Sequence, residues 1–126
     1  MALTVTVTED RSFSRTVHLD GRLDNETAED LDIELDKLVR SPANVIVFDL
    51  AALEYISSAG LRSIFRAQRA MAARSGRIVL VHARPQVQKV FEIVRAGDLA
   101  AIFTSIEELD EYLDAMQQKI IDGGND

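Results

Sequence analysis

The chain has 126 residues, of which 47% are hydrophobic and only 6% aromatic, with a formal net charge of -7 and no cysteine. That length supports one domain with an aliphatic core that needs no disulfide or metal to stand. The acidic balance argues against a nucleic-acid partner, which needs concentrated Lys and Arg, and the lack of cysteine excludes a disulfide framework, a thiolate zinc site and a cysteine nucleophile.

In chain order, "LTVTVTED" alternates Leu3, Val5 and Val7 with threonines, the period of a half-buried strand. "RSFSRTVHLDG" follows after a turn too short for a helix, so the two strands are expected to pair as an antiparallel hairpin ending at Gly21. "NETAEDLDIELDKLVRSP" predicts a helix with Ala28, Leu31, Leu35 and Leu38 on its apolar stripe, Asn25 as N-cap and Pro42 as stop. The unbroken apolar run "NVIVFDL" predicts a central strand that ends near Asp49, followed by a short connection. A helix from Ser58 to Arg74 then buries Leu61, Ile64, Phe65 and Met71, and Gly76 closes it. "RIVLVHA" is a further strand, and Pro85 opens a helix with Val87, Val90, Phe91 and Val94 inward, ended by Gly97. "AAIFT" reads as a short strand. The last helix, "SIEELDEYLDAMQQKII", starts with a capping box of Ser105 and Glu108 over the stripe Leu109, Tyr112, Leu113 and Met116. A hairpin followed by alternating helices and strands makes a mixed α/β sheet. No signal-peptide pattern opens the chain, and no run reaches the ~20 apolar residues of a membrane span. The expected location is the cytoplasm, with no membrane partner.

The stretch "YISSAGL" places Ser57 and Ser58 directly before a helix. One serine has an ordinary task there, capping an orphan N–H for about 1 kcal/mol. Two in succession, followed by the small Ala59 and Gly60, leave the second hydroxyl open to a function, because the positive end of a helix favours an anion and nothing bulky shields the position. Capping and a functional hydroxyl are the two readings that the residues allow.

The stretch "VIVFDLAALEYISSAGLRSIFRAQRAM" resembles the signature of the STAS domain family, the anti-sigma factor antagonists, in which an apolar strand and a spacer lead to "DSSGL" at the start of a helix. "HLDGRLDNETAEDLDIEL" and "GRIVLVHARPQVQKVFEIVRAGDLAAIFTSIEEL" resemble the flanking segments, so the likeness runs in order over residues 3 to 116. It implies one α/β STAS-like domain over residues 1–118, with a mixed sheet of four to five strands and about four helices, and a disordered tail over 119–126. It also implies no enzymatic activity and no cofactor. The partner it implies is an anti-sigma factor that is also a serine kinase of GHKL type, with a PP2C-type phosphatase as counterpart, and an oligomeric state of monomer or weak dimer. By position the phosphoacceptor is Ser58, and the partner-binding set is Asp24, Ser57, Ser58, Ala59, Gly60, Arg62, Arg66 and Arg69. The motif Asp of the family is Ser57 in this chain, and its second serine is Ala59.

Arg62, Arg66 and Arg69 follow Ser58 at helical spacing and form a basic stripe, either a solvated face or a surface for an acidic partner. Asp49, with Glu9 and Asp10, mimics the acidic cluster of a receiver domain and offers an alternative phosphoacceptor. The hairpin and the lack of a lysine in "VHARP" or "AIFTS" favour the plainer role of a residue that fixes the loop before the Ser58 helix. "SSAG" is not a nucleophile elbow, and His18 and His82 lie on strands, so no catalytic residues are expected. The scattered carboxylates predict no metal site. A third reading is a STAS module that senses a small ligand and is never phosphorylated.

Overall fold

The computed structural model describes residues 3–11, 13–96 and 105–123. Over these the chain forms β1 (Leu3–Arg11), β2 (Ser14–Leu23), α1 (Ala28–Val39), β3 (Val45–Ile56), α2 (Ser58–Ala72), β4 (Arg77–Val81), α3 (Pro85–Ala96) and α4 (Ile106–Ile121). The expected strand "AAIFT" and the stop at Gly97 lie outside the described residues. No helix of the described residues is long and apolar enough to cross a membrane.

The four strands stand side by side in the order β1-β2-β3-β4. β1 and β2 pair antiparallel, with Val5 opposite Leu19 and Val7 opposite Val17, as the alternation predicts. β3 runs parallel to both β2 and β4. One face of the sheet carries Val17, Leu19, Ile46, Phe48 and Leu50, which are fully buried under helices through Leu31, Leu35, Ile64 and Met71. The opposite face carries partly exposed residues such as Thr16, His18, Val47 and Asp49.

Two strands are longer than the sequence suggests. β2 does not end at Gly21 but continues to Leu23, because Gly21 takes a φ of 117°, which only glycine adopts without strain, and the pairing shifts register there. β3 accordingly runs through Asp49 and the supposed connection to Ile56, with Leu53 opposite Gly21 and Ile56 opposite Leu23. The Ser57–Ser58 pair therefore follows a strand end directly.

Helix boundaries hold with local corrections. α1 starts after Thr27, not Asn25. The Asp24 carboxylate accepts from the N–H groups of Glu26 and Thr27, and Thr27 Oγ1 accepts from Asp24 N and donates to Arg22 O. α2 stops at Ala72, two residues short of Arg74, whose guanidinium donates to the carbonyls of Val39 and Ser41 and ties the ends of α1 and α2 together. β4 stops at Val81, where His82 turns into the left-handed region. In α3, Val87 and Val90 are buried while Phe91 and Val94 are half-buried. In α4, Ser105 Oγ accepts from Glu108 N as the capping box requires. Leu113 is buried, but Tyr112 is 41% exposed and Gln117 takes an interior place. α4 also runs three residues past the boundary expected at 118.

Candidate functional site

β3 delivers the chain to the start of α2 between two supports. On one side Ser57 N donates to Leu23 O at 2.9 Å, an extension of the β2–β3 pairing. On the other, α4 crosses the corner and presents Gln117 and Asp110. Gln117, fully buried, accepts from Ile56 N at 3.0 Å and donates to Ile56 O at 2.8 Å.

The two serines divide the tasks that the sequence leaves open. Ser57 is the N-cap: its backbone is extended, and its Oγ accepts from Gly60 N at 3.3 Å. Ser58 is the first helical residue, and its hydroxyl is not used for capping. Both of its donors go to Asp110 of α4: N donates to Oδ1 at 2.8 Å and Oγ donates to Oδ2 at 3.0 Å. Bonds to a carboxylate are the strong kind, because the acceptor is charged. The expectation of an unshielded hydroxyl is thereby corrected, since Ser58 is only 9% exposed and a carboxylate lies over it. The cause is α4, which packs against this corner 52 residues further along the chain.

Asp110 itself is half-buried and opens on a groove of about 240 Å³ lined with Arg22, Asp24, Tyr55 and Ser57. The Arg22 guanidinium lies 4.0 Å over the Tyr55 ring. Burial pushes the Tyr55 phenol up to about 12, with Asp114, Asp110 and Asp24 adding to the shift and Arg22 opposing it. The site is thus ringed by carboxylates on α4 and on the turn before α1.

Of the residues expected to meet a partner, Asp24, Ser57 and Ser58 converge here. Ala59 is half-buried and, with Arg62 and Arg66, lines a second groove between α1 and α2. Gly60 is buried under Leu23 and Ile56, so its service is to let α2 close on β2, not to touch a partner. Arg62, Arg66 and Arg69 are all exposed, but Arg66 is paired with Asp32 of α1 at 2.6 Å, so part of the stripe neutralises an acidic neighbour.

Asp49 is not a loop former. It lies inside β3, and the eight steps of extended chain from it to Ser57 span roughly 26 Å. Its carboxylate accepts from Ala51 N at 3.1 Å and lies 3.2 Å from His82 Nδ1 and 3.4 Å from His18 Nδ1. The Ala51 N–H holds its carboxyl below the ordinary value; partial burial opposes this, and the two imidazoles reinforce it. Glu9 and Asp10 do not join it: Glu9 pairs with Arg15, and Asp10 accepts from Thr8 and Thr16. The acidic cluster of the receiver reading therefore does not assemble.

Sequence reasoning missed Asp110 and Gln117. Their signal was present but faint: Asp110, Leu113 and Gln117 recur at three- and four-residue spacing, which puts both polar residues on the buried face of α4.

Comparison with known proteins agrees with this architecture. A family model described as "Mlab, STAS domain" matches residues 7–103. A putative anti-sigma factor antagonist, BtrV of Bordetella bronchiseptica, is 39% identical over 75 residues, which cover 60% of this chain and 65% of that protein; the match thus spans just under two thirds of this curated relative. Among solved structures, an anti-sigma factor antagonist from Mycobacterium paratuberculosis superposes with a TM-score of 0.64 at 25% identity, over 91% of this chain and 94% of its own. The Bacillus cell fate determinant SpoIIAA in its phosphorylated form gives 0.63 at 20% identity, over 72% of this chain and 83% of its own.

Proposed function

The chain belongs to the STAS domain family, and on that premise we propose that it is an anti-sigma factor antagonist toggled by phosphorylation of Ser58. The partner is an anti-sigma factor that is also a GHKL-type serine kinase, and a PP2C-type phosphatase reverses the modification. The observation that supports this reading is the division of labour at the corner: Ser57 caps the helix, so the Ser58 hydroxyl is free of capping and is held instead by Asp110.

The mechanism is competition. The unmodified start of α2 and its rim, with Asp24, Ala59 and Arg62, occupy a surface of the anti-sigma factor that the sigma factor would otherwise hold, and the sigma factor is freed. A phosphoryl group adds about -1.5 to -2 charge at that contact. The corner already carries Asp110 and Asp24, so the added charge meets like charge. Each ~1.4 kcal/mol of mispairing weakens the contact tenfold, so a few kcal/mol make an off state. No step needs a catalytic group of this chain.

The hold of Asp110 on Ser58 favours one other reading, a STAS module in which Ser58 is structural and a small ligand or a scaffold partner is bound without modification. Incubation with candidate switch-protein kinases and ATP, followed by mass spectrometry, separates them. Acid-stable phosphoserine at Ser58 supports the proposal, binding without modification supports the other reading, and an acid-labile acyl phosphate at Asp49 overturns both. A Ser58→Asp variant that kept the partner as tightly as wild type would remove charge exclusion as the mechanism.

A further inference from the structure

We propose that Asp110 is a carboxylate latch over Ser58, so that a phosphoryl group on Ser58 unseats the first turns of α4 and changes the shape of the corner as well as its charge. The inference rests on the reading of Ser58 as a phosphoacceptor and adds what the rest of the fold does in response.

The argument starts from the bonds themselves. With the latch closed, Ser58 Oγ donates its only proton to Asp110 Oδ2, and the residue is nearly covered. In transfer from a nucleoside triphosphate, Oγ forms a bond to the γ-phosphorus. The bond from that phosphorus to the bridging oxygen breaks, the nucleoside diphosphate leaves with the electron pair, and the hydroxyl proton passes to water. The product oxygen has no proton to donate, and it carries a dianion against a carboxylate that sat 3.0 Å away. A favourable bond becomes a repulsion between like charges in a partly buried place, where screening is weak. The Asp110–Ser58 N bond at 2.8 Å shares the same carboxylate, so it is lost along with the first when Asp110 withdraws.

The remainder of α4 has a separate anchor. Seven residues on, Gln117 is fixed to both polar groups of Ile56, and Leu113 is fully buried between the two points. Asp110 near its start and Leu113 with Gln117 further on are thus separate holds on the helix, and of these only Asp110 touches Ser58. Movement at the first and none at the second turns α4 about Leu113 and Gln117.

Hydrogen–deuterium exchange on the full chain tests this, with the β3 amides 45–56 as internal reference. Ser58→Asp is expected to raise exchange at residues 106–112 by about tenfold or more while β3 is unchanged. Adding Asp110→Asn, which removes the charge and keeps the shape, should restore those amides to within about twofold of wild type. Unchanged exchange in Ser58→Asp, or a rise that Asp110→Asn does not reverse, overturns the latch. Should Ser58→Asp disturb the whole fold, Asp110→Ala is decisive: it must raise exchange over 106–112 selectively, and no change there overturns the proposal. None of these rates needs a kinase, so a chain that no kinase modifies at Ser58 would remove the proposed function and leave the latch to be judged by exchange.

Discussion

Gln117 grips Ile56 by both ends of its amide: its carbonyl oxygen accepts the Ile56 N–H at 3.0 Å, and its nitrogen donates to the Ile56 carbonyl at 2.8 Å. Both residues are fully buried, so neither Ile56 group has water as a substitute. The last pair of backbone groups of β3 is thus completed by a side chain from α4.

Replacing Gln117 with Leu keeps the volume and removes both partners. Each buried, unpaired backbone group costs about 1–3 kcal/mol, so a loss of several kcal/mol is expected. Urea unfolding measures it as a lower midpoint with an unchanged slope.

Ser57 and Ser58 are expected to separate by phenotype. Ser57→Ala removes the cap of α2 and costs about 1 kcal/mol, yet leaves the Ser58 hydroxyl able to take phosphate. Ser58→Ala abolishes phosphate incorporation and also loses a bond to Asp110. Melting curves and phosphoprotein mass spectrometry on the two variants check the split; incorporation in Ser58→Ala at the wild-type level would place the acceptor elsewhere.

At Gly60 two effects compete. Alanine within a helix is favoured over glycine by about 1 kcal/mol. Here, however, a Cβ would lie 2.6 Å from Leu23 Cγ and 3.0 Å from Ile56 Cγ1, inside the core. Overpacking on the order of 1–3 kcal/mol outweighs the propensity, so Gly60→Ala is expected to lower the melting temperature. A raised one would show that α2 has room to shift.

Asp49 makes stability depend on pH on the acid side. Its folded pKa lies below the ordinary 3.8, chiefly through the Ala51 N–H, then His82 and His18, against the opposing cost of burial. A depressed carboxyl contributes stability that is present above the unfolded value and is lost as pH falls through the folded one. Asp49→Asn should flatten the acid limb of a urea-stability profile taken across that range; an unaltered limb would show that other carboxyls set it.

Tyr55 acts at the opposite end. Its phenol is raised from 10.0 to about 12, first by burial and then by Asp114, Asp110 and Asp24. The folded state favours the neutral phenol, so its contribution is intact below pH 10.0 and is lost as pH rises through about 12. In a Tyr112→Phe background, ultraviolet titration should show a midpoint near 12, higher still when Arg22 is replaced by Ala, since Arg22 lowers the value. A midpoint near 10.0 would mean the phenol reaches water freely.

Period and end signals carried most of the architecture. The alternation of Leu3, Val5 and Val7 and the stripe Leu31, Leu35 and Leu38 each report which side of an element is dry, and that is a local property. The extension of β3 was not legible, because "AALEYI" has neither a turn signal nor a clean alternation, and only the bulge at Gly21 shows that it stays paired. Ser57 and Ser58 were legible as a pair at a helix start, while their division of labour was not. That division depends on Asp110, whose helical spacing with Leu113 and Gln117 is a faint local signal among the several carboxylates of α4. Tyr112 illustrates the same limit: its spacing fits the apolar stripe of α4, but it points out, while Gln117 points in.

The separation of Ser58 from Asp110 by 52 positions, and of Ile56 from Gln117 by 61, has a temporal consequence. Chains emerge from the ribosome amino end first, at about 5–20 residues per second, so the hydroxyl is synthesised seconds before the helix that covers it. For that interval the nascent corner is naked, and Ser58 is covered only when α4 arrives.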